Sequence, residues 1–372
     1  MREELSTTVL FQPGERSCNR GAINKDGDLL FILTEKVIVG YNLFTEKCFQ
    51  IYEGHDGAIE DLAVSDDSKF LLSVGNSQKV IMHHISSGEV YFIEDERAID
   101  RACCLSSSAI HRCATVSSGQ MRQKVILSVY NYLTKASGET SRKIEKKAST
   151  EFDTTITSLK WIHDRFILAA DEKGRVFLNK FESGKSSQIT KLICINAHRG
   201  CINNMTMSYD GKYFTTASSD TTASVWSVDK LIRANGENEQ MIESKNISEF
   251  RMGTYHHSFI VSCAAMSPIA PHIVLASSDD QKRVASTNSG STDYTINFFN
   301  TVFEEEFAAM KVHKSTVNWV GYTPDGYTIV TTSHEGTTQL IRLGGEYEQH
   351  VLNHNQELDS YKKESKPDRK NK

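Results

Sequence analysis

Residues 208–226 read SYDGKYFTTASSDTTASVW. A turn opens the stretch, a run of alternating apolar and small residues follows, and Asp220 stands six positions before Trp226. Asp-Gly between extended runs is a hairpin signal, because glycine accepts the positive φ of a tight turn. The pattern recurs. NKDGDLLF (24–31), SDDSKFLLS (65–73), SSSAIHRCATVSS (106–118), IHDRFILAA (162–170), SPIAPHIVLAS (267–277) and TPDGYTIVTTS (323–333) each pair a turn with an alternating or apolar run. With 208–226 they make seven, spaced about 40 to 60 residues apart. Repeats of about 40–45 residues are the usual period of a propeller blade.

Two more features travel with the turns. Upstream, a histidine precedes an apolar residue by four positions: His55 and Ile59, His198 and Ile202, His257 and Val261, His313 and Val317. Gly14, Asp95 and Phe152 hold that position in the first, third and fourth repeats. Downstream comes another extended run, as in KVIMHHI (79–85), RVFLNKF (175–181), TASVWSV (222–228), TINFFN (295–300) and TTQLIRL (337–343). Each unit therefore reads as a four-stranded antiparallel sheet with a looser fourth strand. One such sheet cannot cover both of its faces, whereas radial stacking buries each against its neighbours. The expected fold is all-β: a seven-bladed β-propeller over residues 1–350.

These units resemble the WD40 family, in which His, Ser/Thr, Asp and Trp form a hydrogen-bonded tetrad within a blade. The fifth repeat holds the full set: His198, Thr216, Asp220 and Trp226. Buried imidazole and indole nitrogens need partners, so the expected role is a structural lock. His55, His257 and His313 open the other histidine-bearing blades. Ser77 and His83 replace the Asp and Trp in the second blade, as Glu335 and Ile341 do in the seventh. No Trp-Asp dipeptide occurs. By the same resemblance, residues 7–12 would pair beside 337–343 and complete the last blade.

Three stretches exceed the needs of a blade. Residues 133–153 read as a polar, basic link between blades three and four, and residues 230–250 as a link between five and six that includes a short helix. Residues 277–292 fall inside blade six, between its second and third strands. The tail YKKESKPDRKNK within 351–372 is basic and without periodicity, so a disordered, solvated tail is expected, with contact to RNA phosphates as the alternative.

TVFEEEFAAMKVH (301–313) is less generic. The expectation is that Phe303 and Phe307 pin strand ends while three glutamates face solvent. The run resembles the WD40 propeller subunit, subunit I, of translation initiation factor 3, which has phenylalanine, three glutamates and phenylalanine shortly before the last-blade histidine. GERS (14–17) with DGDLLF (26–31), YEGHDGAI (52–59) and SPIAPHIVLASS (267–278) are similar to that family in the same order, across about residues 7–343. Pro13-Gly14 stands in place of the family's Gly-His, and the loops at 133–153 and 230–250 are long, so the chain reads as a divergent member.

The chain has 372 residues, a net charge of −5 and 39% apolar content, which suits a soluble globular protein and no basic nucleic-acid binder. No apolar run is long enough to span a bilayer, and the N-terminus lacks a signal-peptide core. Eight cysteines without such a signal suggest a reducing, cytoplasmic setting. No Gly-x-Ser-x-Gly elbow, P-loop or dinucleotide fingerprint occurs. Cys103-Cys104, His83-His84 and His256-His257 are adjacent pairs, and neighbours on a strand point to opposite faces. The expectation is no enzyme, no cofactor and no metal. What remains is binding. The resemblance implies a scaffold in assembly of the initiation complex on the small ribosomal subunit and recruitment of messenger RNA. It also implies docking of two other components of initiation factor 3, its B and G subunits, at blades five and six. The former would supply a C-terminal helix and the latter a short segment, with Asp229 and Lys230 as rim candidates. The alternative is a WD40 adaptor of another complex, in signalling or ubiquitin ligation.

Overall fold

A computed structural model describes residues 6–10, 17–95, 98–106, 111–119, 124–132, 134–136, 139–141, 144–184, 186–234, 242–244, 247–278 and 294–364. Seven sheets stand around a central axis. Their first strands are Arg20–Ile23, Ile59–Val64, Ala98–Leu105, Ile156–Ile162, Ile202–Met207, Ile260–Met266 and Val317–Tyr322. Each packs on the next, and the seventh packs on the first, so the ring closes. Strands within a blade run antiparallel in chain order, as the hairpin turns dictate. The last blade takes its outer strand from the other end of the chain: Ser6–Leu10 pairs antiparallel with Thr338–Arg342. Positions 11, 12 and 14 lie outside the described residues.

The recurrent turn has one construction. Ser208 donates to Asp210 at 2.7 Å, and Asp210 accepts the Lys212 amide at 3.1 Å. Ser65 with Asp67 and Thr323 with Asp325 repeat it. Gly211 (φ 69°) and Gly326 (φ 76°) occupy the left-handed position. Between the turns, buried aliphatic and aromatic residues fill the seams. Phe31, Leu33, Ile59, Leu62 and Leu71 join blades one and two, and Leu168, Leu178, Met205, Phe214 and Trp226 join four and five.

A β-bulge sits near the start of the first strand in six blades, between Ile59 and Asp61, Asp100 and Ala102, Ile156 and Ser158, Ile202 and Asn204, Val261 and Cys263, and Val317 and Trp319. A bulge leaves one residue outside the ladder and re-aims its side chain. In four of the six that residue reaches the next blade. Thr157 donates to the Ile202 carbonyl at 2.6 Å, Asn203 to Val261 at 2.8 Å and Asn318 to Cys18 at 2.9 Å, while Ser262 donates to Val317. Arg20 and Asp61 continue the circuit at 2.8 Å, and Asp61 also accepts the Cys103 amide at 3.0 Å. The guanidinium further reaches the carbonyls of Thr157 and Asn203 across the axis.

Three expectations need correction. Residues 133–153 do not link blades three and four: Glu145–Phe152 is the fourth strand of blade three, preceded by a small hairpin, Thr134–Ala136 with Glu139–Ser141. Its lysines and glutamates lie on a strand that is largely exposed, which hid it. Residues 230–250 likewise belong inside blade five, whose fourth strand is Arg251–His256. Part of that insertion is the helix Val228–Ala234, and Ile242–Ser244 adds a parallel strand to the outer edge of blade four. Residues 351–364 are no disordered tail but continue a helix, Gly345–Glu364. Its buried side rests on Tyr347 and Val351 with histidines beside them, so the apolar periodicity is too sparse to read. Residues 279–293 and 365–372 lie outside the described residues.

Candidate interaction site

The fifth blade brings together all four residues of the expected lock. The His198 Nε2 atom lies 2.7 Å from the Thr216 hydroxyl, which also accepts the Trp226 indole N–H at 2.8 Å. His198 Nδ1 faces Asp220 at 3.1 Å. Asp220 in turn accepts the Arg199 amide at 2.9 Å and the Thr222 hydroxyl at 2.6 Å. Burial pulls the Asp220 carboxyl upward, but hydrogen bonds from His198, Thr222 and Arg199 outweigh it and hold the group well below the usual carboxylate range. Trp226 is fully buried, stacked on Phe214 and capped by the Arg251 guanidinium 4.9 Å from its ring. These hydrogen bonds tie the strands of the blade to one another.

Degenerate locks follow the same spacing. His55 bridges Ser73 (2.8 Å) and Ser77 (2.6 Å), and His83, at the tryptophan position, bonds the Glu53 carbonyl at 2.9 Å. Burial, His83 and Lys79 lower the His55 imidazole to about 4. His313 bridges Thr331 (2.9 Å) and Thr337 (3.0 Å), with Glu335 at 3.4 Å. His257 departs from them: it faces Asn297 at 3.1 Å and accepts the Phe259 amide. Blade four uses different chemistry, a buried Asp171 held by Thr154 and Arg175, both at 2.7 Å.

Among the described residues no group of three His, Cys, Asp or Glu is arranged to hold a metal ion. The axis is narrowed rather than filled, with a cavity of about 400 Å³ at its turn end lined by Ile23, Val64, Trp161, Met207, Met266 and Tyr322. Arg20 and Asp61 span it, and the Trp319 indole lies over Gly21 and Gly321. At the turn end of the axis Tyr209 reaches from blade five to donate to the Tyr322 carbonyl of blade seven at 2.8 Å.

The surface between blades five and six is different in character. Asp229 and Lys230 lie exposed on the helix Val228–Ala234. Asp229 pairs loosely with Arg233 at 4.0 Å, and the Lys230 ammonium lies 3.6 Å from the Met252 sulfur. The turn of blade six packs against the outer strand of blade five here: Tyr255 bonds the Thr301 carbonyl at 3.5 Å, and a Cβ on Gly253 would meet Glu304 at 3.1 Å. Met252, next to Lys230, is 44% exposed, and on the turn of blade six Val302 and Phe303 are 39% and 46% exposed beside the exposed Glu304 and Glu305. Phe303 therefore does not pin a strand end, contrary to the expectation. Phe307 does, packed against Phe298, His272 and His354. The sequence named Asp229 and Lys230 but not the three apolar residues, since nothing local distinguishes an outward-facing Phe or Met from a core one.

Comparisons with known proteins agree with this architecture. The WD domain, G-beta repeat family model matches residues 46–84 and 189–227. Eukaryotic translation initiation factor 3 subunit I of Drosophila willistoni is 26% identical over 349 residues, spanning 92% of this chain and 100% of that protein. The subunit I of Brugia malayi is 27% identical over 338 residues, spanning 90% and 95%. The β-propeller domain of Myceliophteria thermophila Cps50 (Swd1) shares the fold with a TM-score of 0.69 at 14% identity, covering 91% of this chain and 100% of that one. The chain is thus a seven-bladed WD40 β-propeller and a divergent relative of subunit I of eukaryotic translation initiation factor 3.

Proposed function

We propose that this chain is a non-catalytic scaffold, the subunit I of a cytoplasmic initiation factor 3. It holds the factor's B and G subunits in the assembly that loads messenger RNA onto the small ribosomal subunit. The observation that carries this reading is the seam between blades five and six. There Val302 and Phe303 expose apolar surface next to Glu304 and Glu305, and Met252 exposes more beside Lys230. Exposed apolar anchors rimmed by charge suit an amphipathic helix laid across two blades. The glutamates favour a helix with a basic flank, which raises the rate of encounter and fixes orientation. Asp229, Lys230 and Arg233 supply a second, mixed rim.

The test is affinity purification of the tagged chain from its native cell, with identification of what accompanies it. Both of those initiation-factor components and small-subunit ribosomal proteins are expected with the wild type. Met252→Glu combined with Phe303→Glu, both on exposed positions, should lose the component that supplies the C-terminal helix, while circular dichroism and melting stay unchanged. Recovery of the wild type without either component, at low as well as moderate salt, would overturn the reading.

A further inference from the structure

The helix Gly345–Glu364 leaves blade seven and lies on blade six. Among its described side chains two apolar residues are buried, Tyr347 and Val351. The rest of the contact is aromatic and imidazole. His272, at the start of the second strand of blade six, is fully buried beneath the helix. Its Nε2 atom lies 2.6 Å from His354 Nδ1, and its Nδ1 atom lies 3.2 Å from the Tyr347 hydroxyl. Phe307 is wedged between the rings of His272, His350 and His354, at 4.6, 5.4 and 5.4 Å.

A nitrogen–nitrogen contact of this length holds one proton: one ring donates and the other presents its lone pair. We propose that the C-terminal helix is a proton-sensitive latch, closed while His272 and His354 share one proton between them and released from blade six when the pair takes up another.

The chemistry follows from the groups that face His272. From the helix these are Tyr347, His350 and His354. From the propeller they are the Tyr322 and Ser267 hydroxyls, which contact Tyr347 rather than His272 itself. A further proton on the pair places a positive charge on or beside the fully buried His272 ring, and among the described groups that face His272 there is no carboxylate to offset it. Burial, together with His354 and His350, holds His272 far below an ordinary imidazole, at about 3. Once the helix lifts, His272 meets water and regains an ordinary value near 6.5. The sign is therefore fixed. The docked state is fully favoured above about pH 6.5, and below it the undocked state gains about tenfold per pH unit.

Hydrogen exchange on the full chain reads this directly. Peptides within 345–356 are compared with the inner strand 202–207 at pH 7.5, 6.5, 5.5 and 5.0, after correction for intrinsic exchange. Helix protection should fall about tenfold per unit below pH 6.5 while the inner strand keeps its protection. His272→Phe, which fills the site without titrating, should leave the helix protected at pH 5.0. His354→Gln removes the imidazole whose charge opposes protonation of His272 and should give a shallower fall, so the test survives if the first variant fails to fold. Helix protection that is flat in the wild type, that falls together with the inner strand, or that keeps its wild-type slope in either folded variant would overturn the latch.

Discussion

Asn203 of blade five donates its side-chain amide to the Val261 carbonyl of blade six at 2.8 Å. It does so from a β-bulge, and Thr157, Ser262 and Asn318 stand at the corresponding bulge in their own blades and make the same reach. Thr206 and Thr215 of blade five also donate to the Ala264 carbonyl of blade six at 2.7 and 3.0 Å, and apolar side chains, which are tolerant of sliding, fill much of the remaining seam. The donor chain fixes the register of neighbouring blades near the axis, where a small rotation is amplified toward the rim.

The first prediction follows from direction. Asn203→Ala removes a donor and leaves the Val261 carbonyl to find water, at a cost of about 1 kcal/mol. Asn203→Asp replaces the donor by a carboxylate facing a carbonyl oxygen and should cost more than the alanine. Urea unfolding midpoints decide it. An aspartate variant as stable as wild type would mean that the contact contributes nothing to the ring.

What could be read in the sequence was what is local. A histidine with partners 18, 22 and 28 positions on marks one blade, because one hairpin pair spans those positions; His198, Thr216, Asp220 and Trp226 fit it, and His55, Ser73, Ser77 and His83 fit it with altered chemistry. The fourth strands of blades three and five escaped, since an outer strand with one wet face and a long insertion before it has no strong alternation. The bulge donors escaped for another reason. Thr157, Asn203, Ser262 and Asn318 each follow the apolar residue four places after the blade-opening position, a regularity present in the sequence. Its meaning lies in partners 45 to 300 residues away. Exposure of Met252 and Phe303 is likewise a tertiary fact.

The second prediction concerns acid. His55 is held at about 4, and burial also lowers His83 and His313. A histidine kept neutral by folding contributes stability that is complete above its unfolded value near 6.5 and is lost as pH falls toward the folded one. Asp220 is depressed too, so its contribution is present above the ordinary carboxylate value and is lost at lower pH still. Stability should therefore decline in two steps. Between pH 6.5 and 5.5 His55 alone removes about 1 kcal/mol from the unfolding free energy, and His83 and His313 act in the same direction. His55→Gln keeps hydrogen-bonding capacity and should reduce that slope, whereas Asp220→Asn should leave it alone and lower stability at pH 7. Denaturant titrations at the two pH values test it, and an unchanged slope in His55→Gln would assign the loss elsewhere.

The third prediction concerns the axis. Trp319, 8% exposed, lies across Gly21 of blade one and Gly321 of its own strand. A Cβ on Gly21 would stand 2.7 Å from the indole, and one on Gly321 2.6 Å from it. Neither glycine has a positive φ among the described residues, so backbone freedom is not the reason for them. The ring needs the room. Gly21→Ala should cost about 1–3 kcal/mol by overpacking. Trp319→Leu should also destabilise, through lost contact with both blades. Combined, the two should cost less than their sum, because the smaller side chain gives the new methyl somewhere to go. A double-mutant cycle by urea unfolding measures the coupling, and strict additivity would mean that the indole does not dictate the glycine.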